Sequence, residues 1–386
     1  MFISDNDYII KMRRLFHQHP ELGFCEFETT KIIQSELDNL EAPYIKGIGG
    51  TGIIIQFGSG HPHIAFRAEM DALPITETNN DIDYVSKNTG EMHACGHDGH
   101  MALLLYTIKQ VKTLSDAGKL SGKVSFIFQP CEETKNEEGK SGAQYVLAEK
   151  ALYDVDHYFA GHIESTFENG RVFIRDNAVT SAIDRFDIEI IGKSGHGAYP
   201  HKAVDPIWIT SHALSVINSI QPRCIDTNSP SIISICSING GDTWNAIPEK
   251  VILSGTIRTF DESVRNEIHM RIEKCLHIAD ILGGSFKLNI ARGNPTVINA
   301  PDISNIVRQC ASSVVGTENV LGVDLQMGGD DFSYYSTEKP SCFFYFGAKL
   351  DSVSRQHHSG NFNIDERILI KFSNIFYNIV LHFMVK

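Results

Sequence analysis

The order of strand and helix patterns in this 386-residue chain predicts an α/β fold interrupted by a smaller ferredoxin-like insertion. Three observations point there. The first half alternates helical and strand patterns, as a sheet covered on both faces requires. Between residues 180 and 292 the order becomes βαββαβ, the ferredoxin-like arrangement. The length also exceeds the ~250–300 residues at which one hydrophobic core stops growing. The expected division is 1–179 with 293–386 for the larger domain and 180–292 for the smaller.

Taken in order, Tyr8–Phe16 and Glu26–Leu40 read as amphipathic helices, and Gly52–Phe57 and His63–Ala68 as short strands. A helix follows over Met101–Leu114, with Asp98 available as its N-cap. Lys123–Phe128 is a buried-strand pattern ended by Pro130, followed by a helix at Ala143–Glu149 and a strand at Tyr158–Gly161. Active residues of such a fold gather at the strand ends. In the insertion, Ile183–Ile191 alternates as a strand and Asp205–Ile220 is helical. Ser231–Asn239 and Lys250–Thr259 are strands, Glu262–Leu282 a helix, and Ser285–Ala291 the closing strand. From Val297 the chain returns to the larger domain.

The net charge of −13 argues against nucleic acid or an anionic membrane as the main partner. The first eleven residues lack a basic start followed by an apolar stretch, and no apolar run approaches the ~20 residues of a membrane span. Eight cysteines, at 25, 95, 131, 224, 236, 275, 310 and 342, are scattered without close spacings. A reduced cytoplasmic protein is the expectation.

Chemistry concentrates in a few segments. Met92-His93-Ala94-Cys95-Gly96-His97-Asp98-Gly99-His100 places one thiol and three imidazoles just before a helix. Sulfur and nitrogen ligands of this kind suit zinc, nickel, cobalt or manganese better than calcium. The competing account is a core cysteine beside solvated histidines. Glu132 and Glu133 follow an apolar strand, where one carboxylate can hold a metal and the other take a proton from water. His162 ends a short strand, and His357-His358 lies near the C-terminus. A lone histidine is usually a surface or capped residue; the recurrence after apolar strands is what counts here. Arg67-Ala68-Glu69-Met70-Asp71 follows another strand, and its acids can orient imidazoles. The insertion carries His196 in a Gly-rich loop, able to stabilise an oxyanion, with Asn245 as a carbonyl-orienting amide and Arg258 as a carboxylate-binding guanidinium. Gly328 and Gly329 would let backbone approach a substrate closely.

In order and over nearly the whole chain, from Arg13-Arg14-Leu15-Phe16-His17 to His358 and Asp365-Glu366, these motifs resemble the amidohydrolase branch of the metallo-aminoacylase and carboxypeptidase superfamily. The resemblance implies a two-metal catalytic domain with an inserted lid that forms a homodimer. It implies Cys95, His97, Glu133, His162 and His358 as ligands of two divalent ions (Mn, Zn, Ni or Co). Glu132 becomes the general base and Asp71 the acid supporting the metal site. His196 and Asn245 become lid residues reaching the partner's site, and Arg258 a substrate contact. The implied substrate is a small N-acyl amino acid. A dipeptidase or carboxypeptidase with the same metals, or a silent metal-binding protein, is the alternative. The chain departs from the branch at Glu69, where Asp is common, at Cys131 for Ala, at Asp330 for Glu, and in the stretch Thr134–Lys140.

Overall fold

A computed structural model describes residues 4–385 and divides them into two compact units. The larger comprises 4–177, 298–324 and 331–385; the smaller comprises 178–297 and 325–330.

The larger unit is built on an eight-stranded mixed sheet. Its spatial order is Tyr44–Ile48, Gly52–Gly58, Lys123–Gln129, His63–Glu69, His157–Glu164, Ser341–Gly347, Val172–Phe173 and Val320–Leu321. Four central strands run parallel, from Lys123–Gln129 to Ser341–Gly347. Every residue of His63–Glu69 and of Ser341–Gly347 is buried, as parallel strands covered on both faces require. The covering helices include Asp5–Gln18, His97–Asp116, Pro301–Val315 and Leu369–Met384. Their apolar stripes join Phe66, Phe126, Phe159, Phe344 and Phe376 in one core.

The smaller unit is a four-stranded antiparallel sheet in the order Ser231–Asn239, Lys250–Thr259, Ala182–Ile191, Ser285–Arg292. Phe186, Ile188 and Ile190 pack against Ile209, Ala213 and Ile217 of the helix Pro206–Cys224 and Ile268 and Ile272 of the helix Glu262–Leu276. Residues 325–330, far along the chain, belong here because the Ser181 N–H donates to the carbonyls of Gln326 and Gly328, both at 3.0 Å. Residues 293–297 stay with the unit through reciprocal backbone bonds of Ile183 with Gly293 and Asn294.

Candidate metal centre

The parallel strands deliver the chemistry to one sheet edge. Asp71 lies just beyond His63–Glu69, and Glu132 and Glu133 just beyond Lys123–Gln129. His162 sits inside a strand, because that strand runs His157–Glu164 and extends past the Gly161 end expected from sequence. Gly96 takes φ +90°, a conformation that strains any side chain, and opens the helix His97–Asp116. Cys95 and His97 flank it. The N-cap is therefore Gly96 and not Asp98. Asp98 is drawn inward instead: its carboxylate accepts Arg13 Nε–H at 2.8 Å and meets His17 Nδ1 at 2.8 Å, all fully buried.

The five expected ligands form one chain of near contacts. The ligand atoms of Cys95, His97 and Glu133 lie within 4.8 Å of one another. Cys95 Sγ is 3.5 Å from His162 Nε2, and His358 Nε2 is 3.3 Å from Glu133 Oε1. His357, not among the expected ligands, also groups with Cys95 and His162. Its Nε2 faces Glu164 at 3.1 Å while its Nδ1 is buried without a hydrogen bond.

Neighbouring groups hold these side chains in place. His97 Nδ1–H donates to the Asp71 carbonyl at 2.8 Å, which leaves Nε2 as the coordinating nitrogen. Asp71 Oδ2 accepts the Glu133 N–H at 2.9 Å. His100 is not a ligand: its Nε2 accepts the Ile163 N–H at 2.8 Å and its Nδ1–H donates to Glu69 Oε2 at 2.9 Å, so both nitrogens are committed. Glu69 pairs in turn with the buried Arg67, which also binds Asp331 and Gln129. The Asp331 N–H reaches Glu132 Oε1 at 3.4 Å.

These residues fit two divalent cations. His97 Nε2, Glu133 Oε1 and His162 Nδ1 are buried without hydrogen bonds, an arrangement protein interiors avoid unless another partner is provided. Charge agrees with geometry. Burial disfavours the His97 imidazolium, yet Asp71, Glu69 and Glu133 outweigh it and raise His97 to about 10. Burial, Glu133 and Glu132 push the Cys95 thiol well up, so a thiolate here needs cations beside it. One sulfur, three imidazoles and a carboxylate suit zinc-like transition metals.

The remaining expected residues lie in the smaller unit. His196 pairs with Ala246 in a short ladder, and the Gly197 N–H donates to the Asn245 carbonyl at 2.8 Å, so one loop pair presents both side chains, exposed. Arg258 is half-buried in Lys250–Thr259, and burial lowers its pKa. A Cβ at Gly329 would lie 2.3 Å from Ile183 Cδ1, so this glycine meets a packing demand inside its own unit. Gly328 has open space around it.

The model of peptidase family M20/M25/M40 matches residues 65–382, a span containing every site residue expected from the sequence. The chain belongs to this family. It is 35% identical over 375 residues to the N-acetyl-L-cysteine deacetylase of Bacillus subtilis, covering 96% of this chain and 86% of the relative. It is 34% identical over 392 residues to thermostable carboxypeptidase 1 of Saccharolobus solfataricus, covering 95% and 96%. A dinuclear metal-binding M20 peptidase of Bacillus subtilis, the YXEP protein, superposes with a TM-score of 0.81 at 29% identity, covering 98% of each chain. The superfamily resemblance drawn from the motifs holds, as does the mixed α/β class.

Proposed function

We infer that this M20 protein is a metal-dependent amidohydrolase that cleaves the amide bond of N-acyl amino acids into a carboxylic acid and a free amino acid. The observation that carries the reading is the Cys95–His97–Glu133 cluster beside Glu132, in a chain similar over nearly its full length to a deacetylase of an N-acyl amino acid. Cys95, His97, Glu133, His162 and His358 hold the metals, Mn, Zn, Ni or Co. When bound, the two cations supply Lewis acidity toward water and the acyl carbonyl. Glu132 takes the proton from the attacking water and returns it to the departing nitrogen. Asp71 keeps His97 in its coordinating tautomer.

The smaller unit completes the site as a lid. His196 Nδ1 accepts the Ala198 N–H at 3.0 Å, so the ring proton sits on Nε2, ready to donate to an oxyanion. Thr243 Oγ1–H donates to Asn245 Oδ1 at 2.7 Å, which leaves the Asn245 NH₂ to donate to substrate. Arg258 offers a guanidinium to the substrate carboxylate, which an acidic protein otherwise repels. A homodimer formed through the lid supplies His196 and Asn245 to the partner's site. The edge strand Ser231–Asn239, four of its nine residues exposed, supports such an interface. Eight free cysteines support a reducing, cytoplasmic setting, and no described helix is long and apolar enough to cross a membrane.

The carboxypeptidase relative favours a second reading, cleavage of small peptides by the same machinery. Metal-free protein reloaded with each candidate ion and offered acetyl-, benzoyl- and indole-acetyl-amino acids beside dipeptides separates the two. N-acyl amino acids should turn over with the higher kcat/KM; preference for dipeptides would replace this reading with the peptidase one.

A further inference from the structure

Glu26 is fully buried against the backbone of the residue that precedes the base. Its Oε1 accepts the Cys131 N–H at 2.8 Å, and its Oε2 accepts the Thr51 hydroxyl at 2.6 Å. Cys131, immediately before Glu132, has φ +46°, a left-handed conformation that a non-glycine residue keeps only when its surroundings impose it. The same turn that carries Glu26 leaves room for the Cys131 side chain, since a Cβ on Gly23 would lie 2.6 Å from Cys131 Sγ. On the other side of Glu132, the Glu133 N–H is held by Asp71 at 2.9 Å. Two buried carboxylates therefore grip the backbone on either side of the base.

They are not equivalent. Asp71 also touches His97, so changing it disturbs a metal ligand. The hydrogen bonds of Glu26 go to Cys131 and Thr51, and neither is a ligand. We propose that Glu26 is a positioning residue for the hydrolytic reaction: by fixing the backbone at Cys131 it sets the direction of the Glu132 side chain. The proposal rests on the reading of Glu132 as base. A base displaced by about 1 Å can lose on the order of 100-fold in rate while substrate and metals still bind.

The test uses full-length, metal-replete protein, with metal per chain, kcat and KM measured for Glu26→Ala, Glu26→Asp, Glu26→Gln and Thr51→Val. Glu26→Ala and Glu26→Asp should keep two metals and their KM and lose about tenfold or more in kcat, because neither side chain reaches Cys131. Glu26→Gln should restore most of kcat: its carbonyl oxygen can accept the Cys131 N–H, and the Thr51 hydroxyl can turn to accept from the amide. Thr51→Val, which disturbs the same buried pocket but spares the Cys131 bond, should keep kcat. Should Glu26→Ala fail to fold, the contrast between Glu26→Asp and Glu26→Gln carries the same information. Full kcat in Glu26→Asp, or a kcat that falls only in step with metal content, overturns the proposal. Glu132→Gln runs alongside: if it turns over normally, the base reading itself has failed, whatever Glu26 does.

Discussion

Cys95 and Cys131 are both buried thiols beside paired glutamates, and only their surroundings distinguish them. Cys95 Sγ faces His162 and lies within reach of His97 and Glu133. Cys131 Sγ–H donates to the Thr134 carbonyl at 3.4 Å and packs against Gly23. Cys95→Ser should therefore lower affinity for at least one metal, since a hydroxyl is a far poorer anionic ligand at neutral pH. Cys131→Ser should keep both, as read by bound metal after dialysis against a chelator. Equal loss in the two variants would mean that the wrong thiol has been placed on the metals. The candidate ligands were legible in the sequence because Cys95-Gly96-His97 and Glu132-Glu133 form short motifs, one opening a helix and the other following an apolar strand. Glu26 was not, since an acid at the start of an amphipathic helix looks like an ordinary solvated residue. Asp98 looked like a cap for the same local reason, and only the folded chain brings Arg13 and His17 to it. Nor could spacing alone show that both members of the His357-His358 pair approach the site.

At the scale of elements, the parallel strands His63–Glu69, Lys123–Gln129 and His157–Glu164 were readable from their apolar runs, whereas Tyr44–Ile48 was not. It is an edge strand with three exposed residues in a row and shows no alternation. The expected helix Glu262–Leu282 breaks at His277 into Glu262–Leu276 and Ile278–Ile281. The smaller unit also carries an electrostatic tie that sequence spacing could not reveal. Asp184, on the central strand Ala182–Ile191, accepts from Arg265 Nε–H at 2.9 Å, faces His269 Nε2 at 2.6 Å and accepts the Gly293 N–H at 3.0 Å. Burial opposes its ionisation, but the Arg265 and His269 bonds outweigh that and hold its carboxyl well below the usual range. A depressed acid contributes stability above its unfolded pKa, ~3.9 for Asp, and loses that contribution as pH falls toward the folded value. Asp184→Asn, which leaves the buried Arg265 with only the exposed Glu262 as counter-charge, should cost about 3 kcal/mol at pH 7. The gap in melting temperature between variant and wild type should begin to narrow below pH ~4 and close only toward the folded-state value. A gap that stays constant with pH would show that the loss comes from packing rather than from the carboxylate.

For the whole molecule, the division into two units follows from contacts that join distant stretches of chain. The βαββαβ order is visible in the hydrophobic pattern, but the return of residues 325–330 to the smaller unit depends on backbone bonds to Ser181 that no local pattern encodes. If the lid serves the neighbouring subunit, His196→Ala and Glu132→Gln, each nearly inactive alone, should complement when their subunits exchange. In a mixed dimer one site carries both defects and the other neither, so activity should recover toward half of wild type within the mixed dimers. Verified exchange without recovery would place each lid over its own subunit. The central claim, that Glu132 works beside two bound cations to hydrolyse an N-acyl amino acid, is reached most directly by titrating metal-free wild type and Glu132→Gln with a divalent ion while following release of the free amino acid. Wild-type turnover should rise to a plateau at two ions per chain. Glu132→Gln should bind the same two ions with turnover at least ~10²-fold lower, the smallest effect usual for loss of a general base. Near-normal turnover in the loaded Glu132→Gln protein, or a wild type whose activity is indifferent to metal, would show the account to be wrong.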